Sequence, residues 1–150
     1  MSLTIRAAGA DEGDTLSTIA MTAKASWGYP AAYLQLWKAD LTITAQYIET
    51  NMVVCADWNG EPVGFYTIVE TAEGLELDHL FLHPDHFGHG IGDALLRHAM
   101  ACARENGADA LRIVSDPNAE TFYAKYGAER VDMVPSQPEG RKLPLLRLPV

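Results

Sequence analysis

Three glycines at alternate positions are the residues whose spacing most clearly predicts chemistry. Gly88, Gly90 and Gly92 follow an apolar, strand-like run that ends at Leu82, and a helical pattern begins at Ile91. Glycine lets the backbone approach a ligand closely, and the first N–H groups of a helix are unpaired and carry a partial positive charge. This segment therefore predicts a binding site for an anion.

A Gly-x-Gly-x-Gly run also occurs in dinucleotide-binding turns, in kinase-like loops and in tight strand-to-helix connections. A dinucleotide turn is disfavoured because the loop lies past the middle of the chain and the strands before it form hairpins. No acidic residue ends a second parallel strand about 20 residues further on. A Walker loop is excluded because the chain lacks its Gly-Lys-Ser/Thr ending.

Two motifs together resemble the GCN5-related N-acetyltransferase (GNAT) family. There, a strand with an aliphatic end is followed by x-Pro and then by Arg/Gln-x-x-Gly-x-Gly/Ala at the start of a long helix. Leu82, Pro84 and residues 87–92 match this layout, except that Phe87 replaces the usual Arg or Gln. Residues 118–127 approximate the second signature, Asn-x-x-(Ala)-x-x-Phe-Tyr-x-x-x-Gly. The resemblance implies transfer of an acetyl group from acetyl-CoA to a primary amine of a small molecule, peptide or protein.

The resemblance also implies where the coenzyme binds. The amides of residues 88–92 would hold its pyrophosphate, while Phe81 and Leu82 would pair through their backbone with the pantetheine arm. The full set of implied coenzyme-binding residues is Phe81, Leu82, Phe87, Gly88, His89, Gly90, Ile91, Gly92 and Asn118. Phe87 removes one cationic contact to phosphate, and His89 could add positive charge or be a solvated loop histidine. Acetyl-CoA is the expected cosubstrate, and no metal is expected.

Tyr123 is the candidate proton donor. Acetyl transfer requires a neutral amine, hydrogen-bond donors for the developing oxyanion and a proton for the departing thiolate. The resemblance assigns that last proton to the tyrosine of the Phe-Tyr pair, which is Tyr123 here. The alternative is an aromatic side chain that only packs the helix on the sheet.

Two acidic residues on one predicted strand are candidates for the catalytic base. Glu76 lies six residues before Leu82, the offset at which some family members carry a base, and Asp78 is the alternative. Strand alternation predicts that both share a face with Leu80 and Leu82, with His79 on the opposite face. An ion pair or a solvated strand end would explain either acid equally well.

The segment 24–30 joins the first predicted helices, which the resemblance implies wall the acceptor pocket. The aromatic residues that could enclose an amine by cation–π contact are Trp27 and Tyr29, with Tyr33 and Trp37 nearby in the chain. Core packing is the alternative. Both this segment and 140–144 resemble related bacterial acetyltransferases, so Ser136 and Arg141 are expected in a hairpin beside the active site.

Periodicity predicts a mixed α+β fold, in the order β-α-α, three strands, then α, β, α, β, β. The predicted strands are 2–8, 52–57, 62–69, 75–82, 110–114, 129–134 and 145–148. The predicted helices follow Asp11 as cap, span 31–41 and 44–50 with Thr44 as cap of the latter, begin at Ile91, and follow Asp116 as cap with Pro117. Apolar residues at helical spacing mark the first helix (Leu16, Ile19, Ala20, Ala23 and Trp27) and the helix from Ile91 (Ile91, Ala94, Leu95, His98, Ala99 and Cys102). Asn59-Gly60 predicts a hairpin. The resemblance adds a GNAT-like, largely antiparallel central sheet, flanked by about four helices and splayed at the coenzyme-binding strand.

Length and charge limit the class of protein. The chain has 150 residues, which suits one N-acetyltransferase domain over 1–150. The net charge of −9 disfavours a nucleic-acid partner, and it could favour cationic substrates or only keep the protein soluble. No run is apolar enough for a membrane span, and the start of the chain lacks a signal-peptide layout, so a cytoplasmic location is expected.

The cysteines and the last apolar run give two further expectations. Cys55 and Cys102 lie in apolar patterns, which predicts buried free thiols rather than a disulfide. The run 145–148 would form an exposed edge strand, and the protein could form a homodimer through its helices or through this C-terminal strand. A CoA-binding sensor or interaction module that keeps the fold without turnover is the competing function.

Overall fold

The computed structural model describes residues 2–150 and contains a seven-stranded sheet, five α-helices and two short 3₁₀ helices. The strands are β1 (Leu3–Ala7), β2 (Met52–Trp58), β3 (Glu61–Thr71), β4 (Gly74–Leu82), β5 (Ala110–Val114), β6 (Glu129–Pro135) and β7 (Lys142–Pro149). The α-helices are α1 (Gly13–Ala25), α2 (Ala31–Trp37), α3 (Ala45–Thr50), α4 (Ile91–Glu105) and α5 (Glu120–Ala124). The predicted mixed α+β fold is confirmed.

The sheet consists of two antiparallel parts that meet at β4 and β5. Its strand order is β1-β2-β3-β4-β5-β7-β6, and the contact between β4 and β5 is parallel whereas every other pairing is antiparallel. β4 and β5 pair at one position, Glu76 with Arg112, and then separate. The predicted splay at the coenzyme-binding strand is therefore present.

Local turn chemistry forms the first hairpin as predicted. Asn59 and Gly60 both have positive φ, 53° and 85°, which is the backbone conformation of a two-residue hairpin turn with the twist of the flanking strands. Thr44 also caps its helix as predicted, because its side chain accepts a hydrogen bond from the Tyr47 amide at 3.0 Å.

Glu76 and Asp78 of β4 do not lie on the predicted face of the sheet, because the strand contains a β-bulge. Thr67 of β3 pairs with His79, but the next residue, Ile68, pairs with Leu77, so Asp78 is an extra residue in the strand. A bulge reverses the alternation of side chains beyond it. Asp78 and His79 consequently lie on the same side of the sheet.

The two faces of the sheet carry separate apolar cores. Leu80 and Leu82 pack with the buried Leu77 in the core that α4 covers, whereas the Asp78 carboxylate meets Tyr47 on the opposite face. His79 joins that opposite face, where its ring lies 5.8 Å from that of Phe81. Neither acid therefore shares a face with Leu80 and Leu82.

Helix α4 buries a slightly different stripe from the predicted one. Its fully buried side chains are Ile91, Leu95, Leu96, Ala99 and Ala103. Ala94, His98 and Cys102 of the predicted stripe are only half-buried. Both Cys102 and the buried Cys55 are free thiols, so the expectation of buried thiols is correct for Cys55 alone.

Three predictions about the helices near the N-terminus are wrong. Asp11 lies inside a 3₁₀ helix instead of capping α1, which begins at Gly13. Trp27 lies beyond the end of α1 and is 44% exposed, so it does not continue the buried stripe of that helix. The helix predicted over 31–41 ends at Trp37.

Asp116 does not cap a helix. Its carboxylate accepts a hydrogen bond from the Asn118 amide at 2.8 Å, which forms a local turn over residues 117–119. Such side-chain turns compete with helix initiation. The helix α5 consequently begins at Glu120, later than predicted.

The expected edge strand at 145–148 lies inside the sheet. β7 pairs with β5 on one side and with β6 on the other, and Leu145, Leu146 and Leu148 are buried. The reason given for a homodimer is therefore wrong, because the edge strands are β1 and β6.

Within residues 2–150, no helix is long and apolar enough to cross a membrane.

An ion-pair network attaches the first helices to the sheet. Arg6 of β1 donates from both terminal nitrogens to the Glu12 carboxylate at 2.7 and 2.8 Å, and from Nε to Asp57 of β2 at 2.7 Å. The Glu12 carboxylate also accepts from the Gly9 amide at 2.8 Å. The hydrogen bonds from Arg6 are the main cause that lowers the pKa of Glu12 to about 2.

Glu12 should therefore make the fold sensitive to acid. Because its pKa is lower in the folded chain than its usual 4.5, its stabilisation is complete above that value and is lost as the pH falls toward 2. We expect Glu12→Gln to lower the free energy of unfolding by about 1–2 kcal/mol near neutral pH, after allowance for solvent screening. Urea unfolding at several pH values should show this difference shrinking as the pH decreases. The exposed Glu49→Gln is the control, and an equal loss in both variants would contradict the role of Glu12.

Candidate active site

A cavity of about 950 Å³ opens where β4 and β5 separate. Its wall contains the sequence-predicted residues Trp27, Glu76, Asp78, Phe81, Leu82, Phe87, Gly88, Gly90, Ile91, Gly92, Asn118 and Tyr123. Within residues 2–150, the lining does not include the predicted Tyr29 and His89. The fold thus gathers most of the predicted residues, from distant parts of the chain, around one cavity.

Residues 87–92, the glycine loop, turn the chain from β4 into α4 at one end of the cavity. Gly88 and Gly90 have φ values of 89° and 73°, a left-handed conformation that non-glycine residues rarely adopt. A Cβ at either position would meet nothing within 4 Å, so the glycine requirement comes from the backbone conformation and not from a neighbouring side chain. Gly90 is the residue immediately before the first turn of the 15-residue α4. The loop therefore offers a helix N-terminus next to open space.

The side chains of Phe87 and His89 in the glycine loop behave differently. Phe87 is 51% exposed and lines the cavity. The ring of His89 instead lies 5.1 Å from that of Trp58 and stacks on it at 26°. Of the two side chains, Phe87 alone faces the space that a coenzyme would occupy.

The end of β4 provides a free strand side toward β5. Phe81 and Leu82 line the cavity, and their strand pairs with β3 through Phe65 and Gly64. Past Glu76, β4 has no pairing with β5 in the described chain. An extended ligand with amide groups could pair with this side of the strand.

Tyr123 lies in the cavity wall with an unpartnered hydroxyl. Its residue is 6% exposed, and its ring packs 5.3 Å from that of Phe122. Within residues 2–150, the hydroxyl makes no hydrogen bond that holds it in a structural role. Burial, with a smaller effect from the charge of Asp116, raises the pKa of Tyr123. The hydroxyl therefore keeps its proton at neutral pH.

Glu76 is paired where the two strands meet. Its carboxylate accepts a hydrogen bond from Arg112 Nε at 3.1 Å. Burial is the largest effect on Glu76 and raises its pKa, although the bond from Arg112 acts in the opposite direction. A carboxylate with a raised pKa is a better proton acceptor near neutrality than an ordinary glutamate.

Asp78 has a different environment. Tyr47 donates a hydrogen bond to its carboxylate at 2.6 Å, and His79 Nε2 lies 3.4 Å from the same oxygen. Burial lowers the pKa of His79, so this imidazole favours its neutral form. Asp78 is thus held in place by a tyrosine hydroxyl, whereas Glu76 is held by a guanidinium group.

Asp116 is the centre of a polar cluster that the sequence interpretation missed. Its carboxylate accepts hydrogen bonds from Lys24 Nζ at 2.6 Å and from the Tyr29 hydroxyl at 2.9 Å. Arg141 donates to the same Tyr29 hydroxyl at 3.0 Å. The side-chain Nδ2 of Asn118 also donates to Asp116, at 2.9 Å. Tyr29 therefore serves as a hydrogen-bonding side chain behind the cavity wall instead of lining it.

The cluster could be found only partly from sequence. The resemblance of segments 24–30 and 140–144 to related bacterial acetyltransferases predicts only that Arg141 lies near the site. However, Lys24 is 92 residues from Asp116, and Tyr29 is 112 residues from Arg141. No local pattern predicts pairing over such separations.

Known proteins with similar sequences or structures are acetyltransferases. The sequence model described as an acetyltransferase (GNAT) domain matches residues 49–127. An uncharacterized N-acetyltransferase of Methanocaldococcus jannaschii is 32% identical over 96 residues, which cover 57% of this chain and 42% of that protein. The match thus spans less than half of the length of this relative.

Two solved structures share the whole architecture. The PaiA N-acetyltransferase of Thermoplasma acidophilum, in complex with coenzyme A, has a TM-score of 0.81 at 19% identity, with complete coverage of both chains. A GCN5-related N-acetyltransferase of Rhodopseudomonas palustris has a TM-score of 0.81 at 20% identity and covers 100% of this chain and 97% of its own. At these identities the likeness shows the fold, while the match over residues 49–127 covers more than half of the chain. The chain therefore belongs to the GNAT acetyltransferase family.

Proposed function

We propose that this protein is an N-acetyltransferase that moves an acetyl group from acetyl-CoA to a primary amine of a small molecule, peptide or protein. The observation that carries the proposal is the cavity between the separated ends of β4 and β5, with the glycine loop at one end and the Tyr123 hydroxyl in its wall. Acetyl-CoA supplies the activated acetyl thioester. Membership of the GNAT family supports acetyl transfer in general.

The residues present fit the coenzyme. The cavity of about 950 Å³ is at the upper end of the range usual for small-molecule and cofactor sites. The glycine loop would hold the pyrophosphate through its amides and the positive end of α4, and Phe81 and Leu82 would bind the amide-containing arm along β4. The complex of PaiA with coenzyme A, a protein of the same fold, supports this assignment.

Tyr123 is proposed to give its proton to the departing sulfur. A buried hydroxyl with a raised pKa stays protonated, and no other residue within 2–150 occupies its hydrogen-bonding capacity. It is therefore free to donate to a group that enters the cavity. Because tyrosine is a much weaker acid than a thiol, its proton would move only after most of the negative charge has developed on sulfur.

Glu76 is the proposed base, with Asp78 as the alternative. Burial raises the pKa of Glu76 toward the range in which a carboxylate can accept a proton from an ammonium group, directly or through water. Asp78 lines the same cavity and could instead orient the amine through its charge. Exchange of either residue for its amide would identify which carboxylate causes the fall in acetylation rate at low pH.

The competing function is a CoA-binding sensor without turnover, which is considered because Phe87 departs from the family pattern and the motifs assign no base. An assay of thiol release from acetyl-CoA across polyamines, amino acids, aminoglycosides and peptides tests both functions. Amine-dependent thiol release supports the enzyme. Tight coenzyme binding with no amine-dependent release would support the sensor.

Three broader features belong to the same proposal. The acetyltransferase is proposed to be one domain over 1–150 that acts in the cytoplasm, a compartment that the two free thiols favour. It is proposed to need no metal. A homodimer, if it forms, would use the edge strand β6, where Val131 and Met133 are exposed at 58% and 39%.

Replacement of Gly90 by Val should weaken coenzyme binding by at least about tenfold, or about 1.4 kcal/mol. The β-branched side chain cannot easily adopt a φ of 73°, so the loop would change its backbone conformation and lose its amide contacts. Calorimetry with CoA measures the effect. Gly107→Val is the matched control, because Gly107 has a φ of 84° at the other end of α4 and lies outside the cavity lining. Equal CoA affinity in the two folded variants would remove the glycine loop from the site.

Replacement of Tyr123 by Phe should reduce turnover by roughly 10²- to 10⁴-fold, the usual contribution of a general acid, while CoA affinity changes little. The ring and its packing are retained, so stability should change by less than about 1.5 kcal/mol. Acetylation rates with a turned-over amine give the result. Tyr126→Phe is the control, because the Tyr126 hydroxyl bonds to Asp93 and Tyr126 lies outside the cavity lining. Retention of more than about half of the rate by Tyr123→Phe, with chemistry rate-limiting, would exclude Tyr123 from the mechanism.

A further inference from the structure

Two cations in the cavity wall share one carboxylate. Lys24 and Arg141, here called the cation pair, lie 2.6 and 3.9 Å from the same oxygen of Asp116. The side chains of all three residues are only 11–15% exposed. Neither cation forms a salt bridge to any other carboxylate in the part of the chain that the structure describes. The cluster therefore carries one surplus positive charge at a largely buried place.

Within residues 2–150, this surplus charge has no ion-pair partner of its own within 4 Å, and aromatic rings lie next to the cation pair. The guanidinium carbon of Arg141 lies 4.5 Å from the centre of the Trp37 ring, and Lys24 Nζ lies 5.0 Å from the same centre. Aromatic faces stabilise cations but do not neutralise them. Because a largely buried and uncompensated charge is costly, the cluster favours the arrival of an anion.

Arg141 also has donors to spare. It uses Nη2 to bond the Tyr29 hydroxyl and makes a long contact of 3.4 Å from Nη1 to Ser136. A guanidinium group has five N–H donors in a planar fork that matches the oxygens of a carboxylate or a phosphate. Its Nε has no hydrogen-bond partner within residues 2–150, yet it is not sealed from solvent. The remaining donors can therefore reach a bound oxyanion.

The same cavity has carboxylates in another part of its wall. Glu76 and Asp78 on β4 line it together with the cation pair. An amine would be attracted to those carboxylates and an oxyanion to Arg141 and Lys24. The charges of the wall thus match a molecule with both groups.

We propose that the acceptor carries an oxyanion, a carboxylate or a phosphate ester, in addition to its amine, and that Arg141 and Lys24 bind this oxyanion. This inference rests on the proposed acetyl transfer, and it narrows the acceptor from any primary amine to a small zwitterionic one. Arg141 would select the acceptor without taking part in the chemistry.

The test compares matched amines that differ in the oxyanion. β-Alanine is paired with β-alaninamide, and O-phosphoethanolamine with ethanolamine, so the two pairs separate a carboxylate from a phosphate. We expect the wild-type kcat/KM to favour a charged member by at least about tenfold, and Arg141→Gln to remove most of this preference. Arg141→Lys should keep part of it, because it retains the charge but loses the fork.

The control variant is Arg130→Gln, which breaks an exposed ion pair with Glu120 and should leave the preference unchanged. A purely structural role of Arg141 would lower the rates for both members of each pair equally. Thermal unfolding shows whether Arg141→Gln folds. If it does not fold, Arg141→Lys is compared with the wild type instead. A wild-type preference for the neutral members, or an unchanged ratio in folded Arg141 variants, would overturn the inference.

A binding measurement separates this inference from the proposed function. The same four amines are titrated calorimetrically into the protein saturated with CoA. Charged members that bind in an Arg141-dependent way without being acetylated would support the oxyanion site and contradict the acetyl transfer. The oxyanion site would be contradicted if the neutral amines were acetylated at least as well as the charged ones and Arg141→Gln left this ratio unchanged. That result would still support acetyl transfer.

Discussion

The strands of the two parts of the sheet pair at one residue position, and the cavity opens where they separate beyond it. Glu76 and Arg112 pair through the backbone of β4 and β5, and their side chains form a salt bridge at 3.1 Å. Parallel neighbours need a long crossover, which α4 provides. Because that crossover starts at the separated end of β4, the N-terminus of α4 is brought directly to the mouth of the cavity. An unpaired strand side and a helix N-terminus therefore face the same space.

The polar residues around this space follow from its geometry. Strand separation removes the packing partners that would otherwise cover the sheet, so side chains from α1, α5 and the segment before β7 fill part of the gap. Tyr123 enters from α5 with a free hydroxyl, while Lys24 and Arg141 converge on Asp116 just after β5. The charged side chains described above, Glu76, Asp78, Lys24, Asp116 and Arg141, are each held by a neighbour, so this part of the site is already arranged before any ligand binds. Such preorganisation is the usual basis of electrostatic catalysis and selective binding.

Much of the fold could be predicted because its signals are local. The Asn59-Gly60 turn, the Thr44 cap and the glycines before α4 depend on residues only a few positions apart, and all three form as predicted. The bulge at Asp78 has no comparable local signal, and it places Glu76 and Asp78 on the face opposite Leu80 and Leu82, where the alternation pattern had not predicted them. The interior position of β7 and the cluster around Asp116 depend on contacts between distant segments, which periodicity in one sequence does not encode.

The central claim is that the separated ends of β4 and β5, together with the glycine loop, form the coenzyme site. Backbone amide chemical shifts measured by NMR during titration with CoA test it most directly. The largest changes should fall on residues 88–92 and on residues 80–82, while the edge strand β6 stays unchanged. Shifts concentrated on any other surface, or no saturable change at millimolar CoA, would contradict the claim.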